Sequence, residues 1–207
     1  MTLIQNPLDA LSVSRETIGR LEHLIVLLEK WNPTINLVAR STLADSWSRH
    51  IIDSAQIYSL APRITRHWAD LGSGGGFPGL VIAILADELQ PSMKVTLVEA
   101  DKRKATFLRQ ASQSLGISAN ILPLRIESVL PLDADVVSAR ALAPLRSLCG
   151  FAKLHCGANG VALFLKGANH ASEIAEADRL WTMDFVIHPS ATDPRSVILE
   201  LKGVSHG

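Results

Sequence analysis

The sequence predicts an α/β protein in which a helical segment precedes a mostly parallel sheet of seven strands. Before residue 65 the periodicity is helical, and Leu21, Ile25 and Leu28 belong to one apolar stripe. After residue 65, short β-rich segments alternate with helical ones, which is typical of doubly wound sheets. We therefore expect an N-terminal helical extension over residues 1–64 and a sheet domain over residues 65–207, packed as one unit.

Two helices are expected in the extension. Ser14 is a suitable N-cap for the first helix, and Asn32 followed by Pro33 is expected to end it. A second helix is predicted to begin at Thr42, again with a capping residue, and to run to about Leu60.

The sheet domain divides into alternating segments with one exception at its end. The β-rich segments are residues 67–71, 95–99, 121–124, 135–139, 161–166, 185–188 and 196–201. Helices are predicted over residues 78–89, 102–115, 144–155 and 171–181. A short loop with Pro189 and Pro194, and no helix, joins the last two strands. Such a connection favours antiparallel pairing, so the sheet is expected to end in an antiparallel edge strand.

Charge and cysteine content restrict the classes of function. Lys and Arg number 20 and Asp and Glu number 20, so a general positive coat for nucleic acid is absent, although a local basic face is allowed. No membrane span and no signal peptide are evident. If Cys149 and Cys156 share one helix, they lie roughly 10 Å apart, too far for a disulfide. Free thiols indicate a cytoplasmic protein, and two thiols do not make a structural metal site.

The strongest local signal is the glycine-rich segment from Asp70 to Gly79, which follows a predicted strand and opens a predicted helix. Glycines allow a sharp turn and a close approach of a ligand to the backbone. Pro78 suits the first position of the helix, where no backbone donor is lost. The next strand ends in Glu99, whose carboxylate can accept both hydroxyls of a ribose. This unit predicts a site for a nucleoside cofactor.

The acid before the first glycine helps to choose the cofactor. A nicotinamide dinucleotide offers a pyrophosphate to the helix N-terminus, whereas S-adenosylmethionine has no phosphate but carries an ammonium and a sulfonium. Asp70 can help to hold those cations, and acid-x-Gly-x-Gly-x-Gly is the pattern of class I methyltransferases. A short-chain dehydrogenase needs a Tyr-x-x-x-Lys pair, but the only tyrosine, Tyr58, lies upstream with Pro62 four residues later.

Motifs for several acceptors are missing. Enzymes that methylate exocyclic amines carry Asn/Asp-Pro-Pro-aromatic after the fourth strand, where this chain has residues 138–142, Ser-Ala-Arg-Ala-Leu. Cytosine-C5 enzymes need a thiol beside proline, and neither cysteine has that neighbour. Guanine N7 has a free lone pair and loses no proton on methylation, so it needs positioning more than a base. These absences are consistent with an N7 acceptor.

Arg49, His50 and Asp53 recur at helical spacing, so they are expected to share one side of the second helix. Arg can bind phosphate or carboxylate, and Asp can orient Arg or His. A solvated polar cluster is the alternative interpretation.

Taken together, the motifs resemble the RsmG family, also called GidB, bacterial methyltransferases that act on guanine N7 in small-subunit (16S) ribosomal RNA. The similarity covers roughly residues 20 to 202. The matching motifs are Trp31-Asn32, Asn36-Leu37, residues 49–54, Asp70 to Gly79, residues 102–108, 125–127 and 138–141, and Leu165-Lys166-Gly167.

The resemblance implies a class I methyltransferase fold with an N-terminal helical extension, S-adenosylmethionine as cofactor and 16S ribosomal RNA or the small subunit as partner, with no metal. A monomer is the simpler expectation. The resemblance also implies cofactor contacts from Gly72, Phe77, Ile126, Glu127 and Arg140. Asp70, Gly74 and Glu99 are expected to line the same pocket. The candidates for the RNA side are Arg49, His50, Asp53 and Lys166.

Two alternative functions stay open: a class I methyltransferase with a protein or small-molecule acceptor, and a cofactor-binding factor in ribosome assembly. A basic cluster at residues 102–104 with Arg109 fits either RNA binding or a solvated helix face. Further cations, Arg125, Arg146 and Lys153, follow strands whose ends are expected to border the cleft.

Overall fold

A helical extension precedes the sheet in the computed structural model, which describes residues 6–207. Residues 1–5, the start of the expected extension and of the segment examined for a signal peptide, lie outside the described part. Helix α1 spans Pro7–Leu11 and helix α2 spans Arg15–Ile35. The predicted N-cap is confirmed, since the Ser14 hydroxyl oxygen accepts the N–H of Thr17 at 3.2 Å. No helix in residues 6–207 is long and apolar enough to cross a membrane.

The predicted end of the first helix is wrong by less than one turn. Helix α2 continues past Pro33 to Ile35, and Asn36 closes it in the left-handed conformation with φ 47°. A proline this close to the end disturbs only the last turn, so the helix tolerates it. The buried Asn32 instead fixes the exit of the chain, because its side-chain oxygen accepts the N–H of Val38 at 2.9 Å.

The second predicted helix is not one regular helix, and Thr42 is not its N-cap. The segment consists of a 3₁₀ turn, a π turn, the short helix α3 and a second 3₁₀ turn, namely Arg40–Asp45, Trp47–Ile52, Asp53–Ala55 and Tyr58–Leu60. The backbone N–H of Asp53 reaches the carbonyl of Ser48, five residues back, and this spacing is wider than the four residues of an α-helix. Apolar spacing does not distinguish a π turn from an α-helix, and π turns are frequent at functional sites.

Seven strands form one sheet in the order β3-β2-β1-β4-β5-β7-β6. Their bounds are His67–Leu71, Lys94–Val98, Asn120–Leu122, Ala134–Arg140, Cys156–Lys166, Trp181–Pro189 and Val197–His206, for β1 to β7. Strands β1 to β5 pair in parallel, and β7 pairs antiparallel with both β5 and β6. The predicted fold class is therefore confirmed. The antiparallel strand lies one position inside the edge, which β6 occupies.

Four helices cover the sheet, namely Gly79–Leu89, Lys102–Ser114, Leu145–His155 and His170–Ala177, for α4 to α7. Four predicted helix ends are wrong by one residue; Pro78, for example, lies just before α4. The end of α7 is wrong by more, because α7 ends at Ala177 and Trp181 begins β6. The two cysteines do not share a helix, because Cys149 lies on α6 and Cys156 begins β5; both are free thiols.

The extension packs on the first half of the sheet. Buried Leu21, Leu24 and Leu28 of α2 belong to the same apolar cluster as Trp68 of β1 and Leu80 of α4. Burying side chains of this size contributes about 1.5–3 kcal/mol each.

The strand order reverses between β1 and β4, which are neighbours in the centre of the sheet. Asp70 and Ser138 face each other in this register, near the carboxyl ends of the two strands. Ligands of open α/β sheets bind in the crevice beyond such a reversal.

Candidate functional site

A cleft of about 1090 Å³ opens at the carboxyl ends of β1, β2 and β4. It is also bordered by the π turn of the extension and by the loop between β6 and β7. All the predicted site residues except Asp70 line it, namely Arg49, His50, Asp53, Gly72, Gly74, Phe77, Glu99, Ile126, Glu127, Arg140 and Lys166. The fold thus joins the two groups of candidates in one cavity.

Asp70 lies beneath the glycine-rich loop rather than in the cleft, so the expectation that it lines the pocket is wrong. Its side chain is 0% exposed; it accepts the Ser138 hydroxyl at 2.7 Å and the N–H of Gly79 at 3.1 Å. The Ser138 hydroxyl in turn accepts the indole N–H of Trp68 at 2.9 Å. Burial raises the pKa of Asp70 to about 6, and the hydrogen bonds oppose that rise. Asp70 therefore ties the start of α4 to β1 and β4.

The glycine-rich loop needs glycine at its bends. Gly72, Gly74 and Gly76 have φ angles of 65°, 53° and 89°, a region that residues with a Cβ rarely adopt. A Cβ on Gly72 would lie 2.4 Å from a methyl carbon of Leu142. A Cβ on Gly74 would meet only the carbonyl oxygen of Gly72, at 3.8 Å. The loop thus presents bare backbone to the cleft.

Glu99 fixes this loop and faces the cleft. One carboxylate oxygen accepts the N–H of Gly74 at 2.8 Å, and the other accepts the N–H of Asp101 at 2.8 Å. Each carboxylate oxygen has two acceptor positions, so each keeps one for a ligand hydroxyl.

Ile126 and Glu127 form a 3₁₀ turn after β3 at the same end of the cleft. The carbonyl of Ile126 accepts Nε2–H of the fully buried His155 at 3.2 Å. Burial lowers the pKa of His155, which keeps the ring neutral and a single-proton donor.

Arg140, the last residue of β4, lies at the end of the cleft opposite Glu99 and the Ile126–Glu127 turn. Its guanidinium donates to the carbonyl of Arg49 at 2.7 Å, to the Asp53 carboxylate at 3.2 Å and to Nδ1 of His50 at 3.0 Å. It also lies over the ring of Phe77, with Cζ 5.4 Å from the ring centroid. Burial lowers the pKa of Arg140, and the Asp53 charge opposes this. The geometry therefore holds a charged side chain in one place.

His50 is buried against the same aromatic ring. Its ring stacks on Phe77 with centroids 4.8 Å apart. Burial lowers its pKa to about 4, and the charges of Arg140 and Arg49 add to the effect. At neutral pH His50 is therefore uncharged.

Asp53 links Arg140 to the loop between β6 and β7. Its second oxygen accepts the Gln56 amide at 2.9 Å and the Thr192 hydroxyl at 3.0 Å. Gln56 also accepts the N–H of Ala191 at 2.8 Å, so this loop is fastened to the extension.

Lys166 holds a different loop. Its ammonium lies 2.6 Å from the Glu173 carboxylate and donates to the carbonyl of Ala143 at 3.1 Å. The same carboxylate accepts the N–H of Leu145 at 2.7 Å. These contacts hold the β4–α6 loop, where Ala141 has a strained φ of 52°. With its side chain only 9% exposed, Lys166 is largely committed to this loop.

Arg49 is the most available cation among the predicted RNA-side residues. Its side chain is 49% exposed, and Asp193 lies 3.9 Å away. Lys104 and Arg125 also line the cleft, whereas Arg146 and Lys153 do not.

Sequence reasoning missed several residues that border the cleft. Val38, Thr42, Leu142, Thr192 and Asp193 all line it. No local motif marks Leu142, which packs on the Gly72 bend, or Asp193, which lies 3.9 Å from the Arg49 guanidinium. Only tertiary contacts between distant segments bring them to the site.

Solved structures share this fold at low sequence identity. A ribosomal protein L11 methylase from Lactobacillus delbrueckii subsp. bulgaricus aligns with a TM-score of 0.59 and 17% identity, covering 74% of this chain and 78% of the other. A TehB-like SAM-dependent methyltransferase from Corynebacterium glutamicum aligns with a TM-score of 0.57 and 14% identity, covering 90% and 100%. The fold is that of class I SAM-dependent methyltransferases.

Sequence comparison is more specific. The GidB family, described as rRNA small subunit methyltransferase G, matches residues 17–196. A ribosomal RNA small subunit methyltransferase G from Cereibacter sphaeroides is 52% identical over 198 residues, covering 96% of this chain and 95% of the other. One from Ruegeria pomeroyi is 48% identical over 197 residues, covering 95% and 96%. The chain therefore belongs to the GidB family of small-subunit ribosomal RNA methyltransferases.

Proposed function

We propose that this chain transfers the methyl group of S-adenosylmethionine to N7 of a guanine in 16S ribosomal RNA. The choice of N7 rests on one observation: the side chains at the Arg140 end of the cleft that could act as a base are already hydrogen-bonded within the protein. Both ring nitrogens of His50 are hydrogen-bonded within the protein, and Asp53 and Glu173 each accept from more than one protein donor. A site of this kind suits an acceptor atom that loses no proton.

The opposite end of the cleft fits S-adenosylmethionine. The bare backbone at Gly74 leaves room in which an added Cβ would meet only the carbonyl oxygen of Gly72 at 3.8 Å. Glu99 keeps acceptor positions for ribose hydroxyls. The turn at Ile126 and Glu127 borders the same end of the cleft and is proposed to hold the adenine ring. When bound, the cofactor supplies a methyl group on a positively charged sulfur.

Arg140 is proposed to bind the carboxylate of the cofactor. Three of its five N–H groups donate to Arg49, Asp53 and His50, which leaves two for a ligand. The nearby Asp53 charge offsets the guanidinium, which reduces repulsion between Arg140 and a cationic sulfonium. Asp70 is buried, but it provides a second carboxylate, after that of Asp53, directly beneath the glycine-rich loop.

The protein's part in the reaction is then to position the two partners and exclude water. A lone pair on N7 needs alignment with the methyl group, and such alignment accounts for a large share of rate enhancement. The tethered β6–β7 loop and the Lys166–Glu173 pair hold both walls of the cleft. A guanine that enters the cleft must leave its stack, as in other enzymes that modify bases.

Arg49, Lys104 and Arg125 are proposed to contact RNA phosphates at the mouth of the cleft. His50 and Asp53 act indirectly, by holding Arg140. The overall charge of zero predicts weak affinity for arbitrary RNA, so a folded target is expected to supply specificity.

The enzyme is proposed to work as a monomer in the bacterial cytoplasm without a metal ion. Residues 6–207 contain no group of three or more His, Cys, Asp or Glu side chains placed to hold a metal. The shared core of α2, β1 and α4 supports a single unit made from the described part of the extension, residues 6–64, and residues 65–207.

Small subunits from cells that lack this chain, incubated with the enzyme and tritiated S-adenosylmethionine, test the proposal. Label is expected in 16S ribosomal RNA and absent from ribosomal proteins. Label in protein would instead support another acceptor. Tight cofactor binding with no label in any fraction would support an assembly factor. The Gly72→Val variant, in which the loop cannot keep its shape, serves as the control for enzyme-dependent transfer.

A further inference from the structure

Thr42 lines the cleft beside His50. It lies in the 3₁₀ turn Arg40–Asp45 and is half-buried. Its hydroxyl is 2.7 Å from the carbonyl of Ala39 and 2.9 Å from Nε2 of His50. These two contacts place one hydroxyl between a backbone acceptor and an imidazole nitrogen.

The proton positions in this chain of contacts follow from the chemistry of each group. Arg140 can only donate, so Nδ1 of His50 must accept from it at 3.0 Å. A neutral imidazole has one N–H, which then has to be on Nε2. The Thr42 oxygen must therefore accept this proton, while its own hydrogen goes to the carbonyl of Ala39, which can only accept.

The Ala39 carbonyl leads to the same assignment from the other end. Thr42 has a single hydroxyl hydrogen, and the 2.7 Å contact with a carbonyl oxygen requires it. Thr42 then has only lone pairs to offer His50, so Nε2 must carry the proton. The two ends of the chain agree on one tautomer of His50.

We propose that Thr42 is a positioning residue that fixes the Nε2–H tautomer of His50 and thereby holds Arg140 in place for the cofactor. With the other tautomer, an Nδ1–H would point at an N–H of Arg140, and the two donors would repel each other. Arg140 would then lose one of its three protein acceptors and its fixed position over Phe77. The part of this inference that concerns the cofactor rests on the proposed function.

The tautomer can be read directly by long-range ¹H–¹⁵N correlation NMR of the ligand-free protein at pH 7. The His50→Gln variant identifies the His50 signals. The wild type is expected to show the Nε2–H tautomer with Nδ1 unprotonated. In Thr42→Val, Nε2–H has no acceptor, so signals of the second tautomer, with the proton on Nδ1, are expected.

Cofactor affinity provides the second measurement. Thr42→Val is expected to raise the Kd for S-adenosylmethionine about tenfold, because Arg140 loses the His50 acceptor that holds it in place for the cofactor. Thr42→Ser keeps the hydroxyl and is expected to remain within about twofold of the wild type. Thr106→Val is the matched control, since the exposed Thr106 hydroxyl bonds only the backbone carbonyl of Lys102.

Two results would overturn the inference: a wild-type spectrum with Nδ1–H or a charged ring, or a Thr42→Val variant with unchanged spectrum and Kd. A Thr42→Val variant that does not fold leaves the wild-type spectrum and Thr42→Ser to decide. If the tautomer shifts in Thr42→Val but the wild type methylates no ribosomal RNA, the proposed function fails and the assignment of Thr42 to the tautomer is still supported.

Discussion

Gly79, the first residue of α4, is the position where the smallest substitution is expected to have a large effect. A Cβ there would lie 2.6 Å from the Asp70 carboxylate oxygen, 2.8 Å from Leu97 Cγ and 3.0 Å from Asp70 Cβ. Atoms in contact need about 3.5–4.0 Å, and these neighbours are buried side chains of β1 and β2. Gly79→Ala therefore forces α4 away from the sheet.

The magnitude follows from two effects. Overpacking a buried site costs about 1–3 kcal/mol. The displacement of α4 also stretches the 3.1 Å hydrogen bond from Gly79 N–H to Asp70, and such bonds to charged groups contribute about 1.5–3 kcal/mol. We expect Gly79→Ala to lower the free energy of unfolding by about 3–5 kcal/mol. The shift also moves the glycine-rich loop, so cofactor affinity should fall at temperatures where the variant is still folded.

Urea unfolding followed by circular dichroism measures the first effect, and calorimetry with S-adenosylmethionine measures the second. Gly19→Ala is the matched control, because Gly19 lies inside α2 with no atom within 4 Å of its added Cβ. The control should gain about 0.5–1 kcal/mol from the helix propensity of alanine. A Gly79→Ala variant as stable as the wild type would refute the packing argument at the start of α4.

Three further predictions concern residues that line the cleft or lie beneath its glycine-rich loop. Gly72→Val should abolish cofactor binding in calorimetry, whereas Gly116→Val, with nearly the same φ of 66° but open space around its Cβ, should leave it unchanged; equal loss in both would mean that only backbone strain is measured. Arg49→Ala should lower kcat/KM on small subunits about tenfold or more, because a phosphate contact is lost. The Kd for the cofactor should stay unchanged, because Arg140 contacts only the backbone carbonyl of Arg49, which the variant keeps. Exposed Arg15 provides the control substitution, and lost cofactor binding in Arg49→Ala would count against the RNA-side assignment. Because the pKa of folded Asp70 is raised to about 6, the folded state binds the extra proton and loses stability as pH rises from about 4 to about 6. Asp70→Asn removes this dependence, so its free energy of unfolding relative to the wild type should rise over that pH window and be flat above pH 7; no change across the window would contradict the raised pKa.

The sheet could be predicted from the sequence because its signals are local. The mostly apolar segments of β1, β2 and the second half of β5 are buried, and their sequence pattern predicts strands. The glycines after β1 and the acid after β2 also predict one end of the cleft, because they too are local sequence patterns. Each of these signals is a pattern of residues that are neighbours along the chain.

The other end of the cleft depends on contacts that no local pattern reports. Arg140 and His50 are hydrogen-bonded across the sheet and the extension, although 90 residues separate them. The π turn at Trp47–Ile52 has the apolar spacing of an α-helix, so its wider geometry was not visible. The sequence predicts a helix cap at Thr42, which is a local role. In the structure the hydroxyl of Thr42 instead contacts His50, eight residues later in the π turn.

Asp70 shows a different limit of the sequence argument. Its position before the first glycine identified the right loop and the right class of fold. The pattern did not report that the side chain points under the loop, toward Gly79 and Ser138, because that direction depends on how β1 pairs with β4. Residue type and spacing located the site, and strand pairing decided which atoms face it.

The most direct test of the proposed function is to identify the methylated nucleoside itself. Small subunits from cells that lack this chain would be treated with the enzyme and S-adenosylmethionine, and the 16S ribosomal RNA digested and examined by nucleoside mass spectrometry. We expect 7-methylguanosine to be the single nucleoside that increases, at one position in the RNA. Methylation of an exocyclic amine or a ring carbon would contradict the account, because both require a base or a thiol that the Arg140 end of the cleft does not offer.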